Sequence, residues 1–183
     1  MENFQKIAVL IDADNTQLSK LEAVLHEVSA YGRIVVKKAY GNWRKDSLKN
    51  WEPELKRLAI RAEQQFDYVA GKNTTDIAMV IGAMDLLHNN MYDALVLVSS
   101  DSDYTRLASR IRESGREVLG FGEKKTPKPF IKSCDKFIYV EILGQTPPEK
   151  AAPAKKKADA KRSAGAEAPV GPAAETAGEK KPS

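Results

Sequence analysis

Two short stretches concentrate carboxylates: Asp12 and Asp14 in "LIDADNT" (10–16), and Asp101 and Asp103 in "SSDSDY" (99–104). The first pair directly follows the apolar run 7–11, the second comes just after the run 94–99, and a further acid, Asp76, stands in "KNTTDIAM" (72–79). Asp, Asn, Ser and Thr are preferred helix N-caps, so one such residue after a strand needs no other role. Capping does not account for two aspartates after each of two strands. Carboxylates held within a few ångströms repel one another unless protons or a cation intervene. An oxygen-only cluster without Cys or His suits Mg²⁺ or Mn²⁺ better than Zn²⁺. The chemistry expected of it is attack of water on phosphorus, the cation lowering the pKa of water and neutralising phosphate oxygens. Asn15 could hold a ligand by its amide, Lys72 could meet a phosphate charge, and Asn73 and Ser100, which flank the same acids, are further expected substrate contacts.

Other chemistries find little support. Cys134 is the single cysteine, which excludes an internal disulfide and a Cys-based metal site and fits a reducing cytoplasm. His26 and His88 fall on helical patterns away from the acids, and Ser99 and Ser100 have no His in a recognisable hydrolase arrangement. Neither a GxGxxG nor a GxxxxGK[ST] phosphate loop is present.

The elements that must position these residues are six β-like runs (6–11, 33–41, 66–71, 94–99, 117–122 and 137–143) alternating with helical patterns. Helical spacing links Leu18, Leu21, Leu25 and Val28, then Leu55, Leu58, Ala59 and Ala62 after Glu52-Pro53. Ile77, Val80, Ile81, Met84 and Leu87 follow, predicting a buried stripe with Asp76 turned away from it. Leu107, Ala108 and Ile111 mark a further helix. Such alternation predicts an α/β fold with a doubly wound, mostly parallel sheet and helices on both faces. Ligands in such folds sit beyond the carboxyl ends of the strands. If the first and fourth strands are neighbours, their acids meet in one crevice.

The domain is expected over 5–143, followed by a disordered tail over 144–183. From Gln145 onward there are 11 Ala and 6 Pro, and Val170 is the only large aliphatic, too little apolar surface to offset the entropy of ordering. This segment holds 8 of the 29 basic and 5 of the 25 acidic residues, leaving the domain almost neutral at 21 against 20. The basic excess therefore resides largely in the tail, a solvating linker or a weak nucleic-acid-attracting arm. No apolar run approaches the roughly 20 residues that span a bilayer, and "MENFQK" lacks a signal-peptide pattern.

With these residues assembled, the chain resembles the NYN domain family of PIN-like ribonucleases. Five blocks carry the resemblance in order: "LIDADN", "AYGNWR", "GKNTTDIAM", "SSDSDY" and "KTPKPFIKSCDKFIYVE", and the resemblance covers about residues 5–143. The resemblance implies a doubly wound α/β fold and an acidic pocket that holds a divalent cation and cleaves RNA. Carried over, Asp12, Asp76 and Asp101 match the family's acidic metal-site positions, Asp103 is the fourth, and Asn15 matches the asparagine of the first motif. Two residues depart from the frequent Ser-Gly-Asp-Ser-Asp-Phe form of the fourth motif: Ser100 replaces Gly, and Tyr104 replaces Phe. The winged-helix RNA-binding domain of some relatives has no counterpart here, so substrate recruitment by that route is not expected. PIN-like domains often pair, which makes a homodimer an expected assembly. "GNWRKDSLKNW" (41–51) mixes Trp43 and Trp51 with Arg44, Lys45 and Lys49, a composition suited to stacking and phosphate contact with single-stranded RNA. Trp43 and Arg44 are the expected contacts.

Two other readings compete. "DADNT" also fits the D-x-D-x-T signature of haloacid-dehalogenase-like phosphatases, with Asp12 as nucleophile. The acids at 101 and 103 come too soon after Ser99, however, with no intervening Lys. The other alternative is a non-catalytic RNA- or protein-binding module that retains the pocket.

Overall fold

The computed structural model describes residues 4–68 and 73–144. Lys72 and the tail expected over 144–183, beyond Gly144, lie outside the described residues.

Ile7, Ala8, Val9, Leu10 and Ile11 are all fully buried in β1 (Phe4–Asp12). The reason is position: β1 is paired on one side with β2 (Gly32–Gly41) and on the other with β4 (Ala94–Val98), and helices cover both faces. A strand so placed must be apolar on both sides, hence its continuous run. Ile7, Val9 and Ile11 join a core layer with α1 (Leu21–Ser29) and α2 (Trp51–Arg57). Ala8 and Leu10 join the opposite layer with α3 (Thr74–His88), α4 (Thr105–Glu113) and α5 (Lys128–Ser133). With β3 (Arg61–Gln64), β5 (Glu117–Gly122) and β6 (Lys136–Tyr139), the sheet order is β3-β2-β1-β4-β5-β6 and every pairing is parallel. The chain winds outward from β1 to β3, crosses over, and winds the other way from β4 to β6. The order therefore reverses between β1 and β4, where such sheets open a crevice.

Several elements differ from the sequence reading. The third strand is Arg61–Gln64, not 66–71, and the preceding helix ends at Arg57. Ala59 takes a left-handed φ of 51°, which stops the helix before the apolar spacing does. An edge strand has one neighbour and much solvent, so "RAEQ" carries no apolar signature. The last strand stops at Tyr139, and Val140–Ile142 form a 3₁₀ turn instead of its continuation.

Helix α3 buries a face that only partly overlaps the expected one: Leu87 is buried, and Val80 and Met84 pack partly buried against the core. Thr75, Met79, Ala83, Leu86 and Leu87 face inward, whereas Ile77 and Ile81 are 59% and 56% exposed. Apolar residues occur around the whole circumference, so periodicity cannot choose the buried side. Asp76 consequently borders the buried face. Gly82 seats this helix on β2: a Cβ there would stand 2.1 Å from the Tyr40 hydroxyl.

No helix was expected over 128–133, where Pro127 and Pro129 punctuate the sequence. Pro129 lies within the first turn of α5, where its missing N–H costs nothing, and Phe130 anchors the helix fully buried. Among the described residues, no helix is long and apolar enough to cross a membrane.

Candidate metal centre at the switch point

Ile11 pairs with Val98, so β1 and β4 leave the sheet side by side, at Asp12 and Ser99. Asp12 is the last residue of its strand and is 0% exposed. Its carboxylate is enclosed by donors: Asn15 Nδ2 to Oδ2 at 2.9 Å, Ser99 Oγ to Oδ2 at 2.8 Å, and the Asp14 amide to Oδ1 at 3.1 Å. Burial pushes its pKa up to about 6, although the Asn15 and Ser99 bonds pull the other way; the charges of Asp76 and Asp14 add to the rise.

The β4 loop is organised differently. The Ser99 hydroxyl, while donating to Asp12, accepts the Asp101 amide at 3.0 Å. Asp101 then caps the 3₁₀ turn Ser102–Tyr104, its Oδ1 taking the Asp103 amide at 2.9 Å. Asp103 Oδ2 accepts from Asn73 Nδ2 at 2.9 Å, and Asp76 Oδ1 accepts from the Tyr104 hydroxyl at 2.9 Å. Burial also raises the Asp76 pKa, opposed by the Tyr104 bond and increased by the charges of Asp101, Asp103 and Asp14. Tyr104 is itself raised, by burial first and then by the neighbouring carboxylates.

Asp76, Asp101 and Asp103 each offer a carboxylate oxygen, and these oxygens lie within 4.8 Å of one another. Among the described residues this set has the spacing to share one cation. Three oxygens with no nitrogen or sulfur donor fit a hard divalent ion, as the residue types anticipated. Asp12 is outside this group and fully buried, and its oxygens accept from the donors just described.

The remaining expected residues are distributed around this centre. Asn15 and Asn73 direct their amides at Asp12 and Asp103, and the Ser100 hydroxyl accepts the Glu123 amide at 2.9 Å. All three thus hold the site's loops. Trp51 is 3% exposed and belongs to the core, while the half-buried Trp43 packs beside it with ring centroids 6.1 Å apart. Arg44 is exposed, its guanidinium 4.9 Å from the centre of the Phe66 ring. As for the phosphatase signature, a nucleophilic Asp12 would have to be reachable, and Thr16 bonds the Val98 carbonyl at 3.0 Å.

Asp67, which no motif marked, completes the edge. Asn42 donates to Asp67 at 3.2 Å, Thr74 donates to Asp67 at 3.3 Å, and Lys45 lies 3.3 Å from Asp67 and 3.8 Å from Asp14. This network ties the segment after β3 to the ends of β1 and β2 and keeps a cation beside the acids. Phe66 falls in the run expected as a strand over 66–71, but it follows β3 outside the sheet.

Comparison with known proteins agrees with this architecture. A solved structure of a protein of unknown function from Vibrio parahaemolyticus superposes with a TM-score of 0.63 at 20% identity, covering 75% of this chain and 93% of that one. No curated protein matches the chain. The profile of the NYN domain matches residues 6–142. The five ordered motifs, the reversed parallel sheet and that match lead to one assignment: the chain belongs to the NYN domain family, within the PIN-like superfamily.

Proposed function

We propose that this protein is a divalent-metal-dependent ribonuclease that hydrolyses phosphodiester bonds of single-stranded RNA at the crevice between β1 and β4. The observation that carries the reading is the convergence of Asp76, Asp101 and Asp103 to within 4.8 Å at the strand ends. These three acids would hold Mg²⁺ or Mn²⁺. When bound, the ion supplies charge neutralisation at the phosphate and lowers the pKa of water. Asp12 contributes negative charge from beneath and, through Ser99, sets the path of the loop bearing Asp101. Asn73 steadies Asp103, and the Asp101 cap steadies the turn that carries it. Lys45, beside Asp14, is placed to meet a backbone phosphate; Arg44 with Phe66 offers a cation and an aromatic ring to an unstacked base. Lys72 and a homodimeric assembly remain part of the proposal on sequence grounds.

The test is to incubate purified protein with end-labelled single-stranded RNA and Mg²⁺ or Mn²⁺, beside Asp76→Asn and Asp101→Asn. Metal-dependent cleavage lost in both variants is the expected result. Binding without cleavage in either metal would identify a non-catalytic module, and cleavage surviving both substitutions would point to a contaminant.

A further inference from the structure

We infer that the Tyr104 hydroxyl is a positioning group for the metal centre: it fixes the Asp76 carboxylate so that its remaining acceptor sites face Asp101 and Asp103. The inference rests on reading those three acids as a cation site.

Tyr104 is fully buried, and a buried hydroxyl requires a partner; here it donates to Asp76 Oδ1 at 2.9 Å. The ring is not free to choose another. It packs against Phe130 with centroids 6.4 Å apart, and Phe130, also fully buried, meets Phe137 edge-on at 5.8 Å. This aromatic row runs from the β4 loop through α5 to β6, so the place of the hydroxyl is set by the core. The bond also spans two elements. Asp76 belongs to the first turn of α3, whereas Tyr104 shares its 3₁₀ turn with Asp103 and follows the Asp101 cap. One donor therefore registers the acid from α3 against the two acids from the β4 loop.

The need for such a donor follows from charge. Asp76 is partly exposed beside two other carboxylates, and their repulsion would turn its side chain toward solvent. A carboxylate has about four lone-pair sites, and the phenol takes one, leaving the others for an ion. Outer partners that orient a ligand in this way typically change metal affinity by about 10- to 100-fold when removed.

Direct Mn²⁺ titration of the full chain, with free ion followed by electron paramagnetic resonance, tests the inference without relying on cleavage. Tyr104→Phe keeps the ring and is expected to weaken Mn²⁺ binding about 10-fold. Ile111→Val, a change in the buried core of α4, is expected to lower Tm and leave the Mn²⁺ Kd within about twofold. Equal Mn²⁺ affinity in Tyr104→Phe and wild type would overturn the inference while leaving the cation site standing. Absence of Mn²⁺ binding by wild type would overturn the cation site itself. A measurement on the unsubstituted sequence guards against loss of folding: with 3-fluorotyrosine incorporated, the Tyr104 ¹⁹F resonance should shift and saturate on Mg²⁺ titration while that of the distant Tyr31 stays. A Tyr104 resonance unmoved by saturating Mg²⁺ would likewise refute the inference.

Discussion

The loops after β1 and β4 carry the same short pattern, an apolar run ending in two aspartates one residue apart, yet they place those acids in opposite environments. Asp12 is inaccessible and receives three hydrogen bonds; Asp101 and Asp103 stand at the surface and use one another and Asn73 to hold their shape. The distinction arises because Asp12 is still the last residue of its strand, whereas β4 ends at Val98 and lets the chain emerge before Asp101. A buried carboxylate serves as an anchor, and partly exposed ones are available to a ligand. Ser99 joins the two environments by donating to Asp12 and accepting from the Asp101 amide.

This contrast can be broken from either side. Asp101→Asn keeps an acceptor for the Asp103 amide but removes charge from the outer set, so RNA cleavage should fall roughly 100- to 1,000-fold with Tm nearly unchanged. A loss of stability as large as the loss of activity would show that Asp101 is an anchor too. On the inner side, Asp12→Ala leaves Ser99, Asn15 and the Asp14 amide without their acceptor. Urea unfolding should then show a loss of about 2–4 kcal/mol, whereas Asp103→Ala should lose less than about 1 kcal/mol.

A smaller effect distinguishes the loops by pH. Asp12 binds its proton more tightly in the folded state, at about 6 against an ordinary 3.8. Its contribution to stability is therefore fully present below the unfolded value and is lost as pH rises through about 6. Metal-free protein should gain on the order of 2 kcal/mol between pH 7 and pH 4 from this group, a gain that Asp12→Asn should remove from the Tm–pH profile. The smallest expected effect lies beside both loops. Arg44→Ala should weaken binding of a short single-stranded oligonucleotide about threefold, read by fluorescence anisotropy, without altering Mn²⁺ affinity.

Much of this arrangement was legible residue by residue, and the exceptions share a cause. The acids at 12, 101 and 103 were readable because apolar runs announce central strands and the polar residues after them announce their ends. Strand β3 escapes the pattern because Arg61–Gln64 holds a single apolar residue, Ala62, and the inward face of α3 is only partly legible because its apolar residues surround the helix. Tyr104 looked like a minor departure from a motif that often ends in Phe. Its hydroxyl acquires meaning only with α3 in place, since Asp76 lies 28 residues away along the chain.

The sequence by itself determined the alternation of strands and helices, the presence of acids at or just beyond the ends of the first and fourth strands, and the oxygen-only character of the donor set. These are local properties, written into side-chain type and spacing. Tertiary structure alone decided that Asp76, Asp101 and Asp103 converge while Asp12 remains beneath them. Convergence and depth depend on strand order, on where each strand stops relative to its neighbour, and on which face of α3 meets the sheet, and none of these is a property of a short segment.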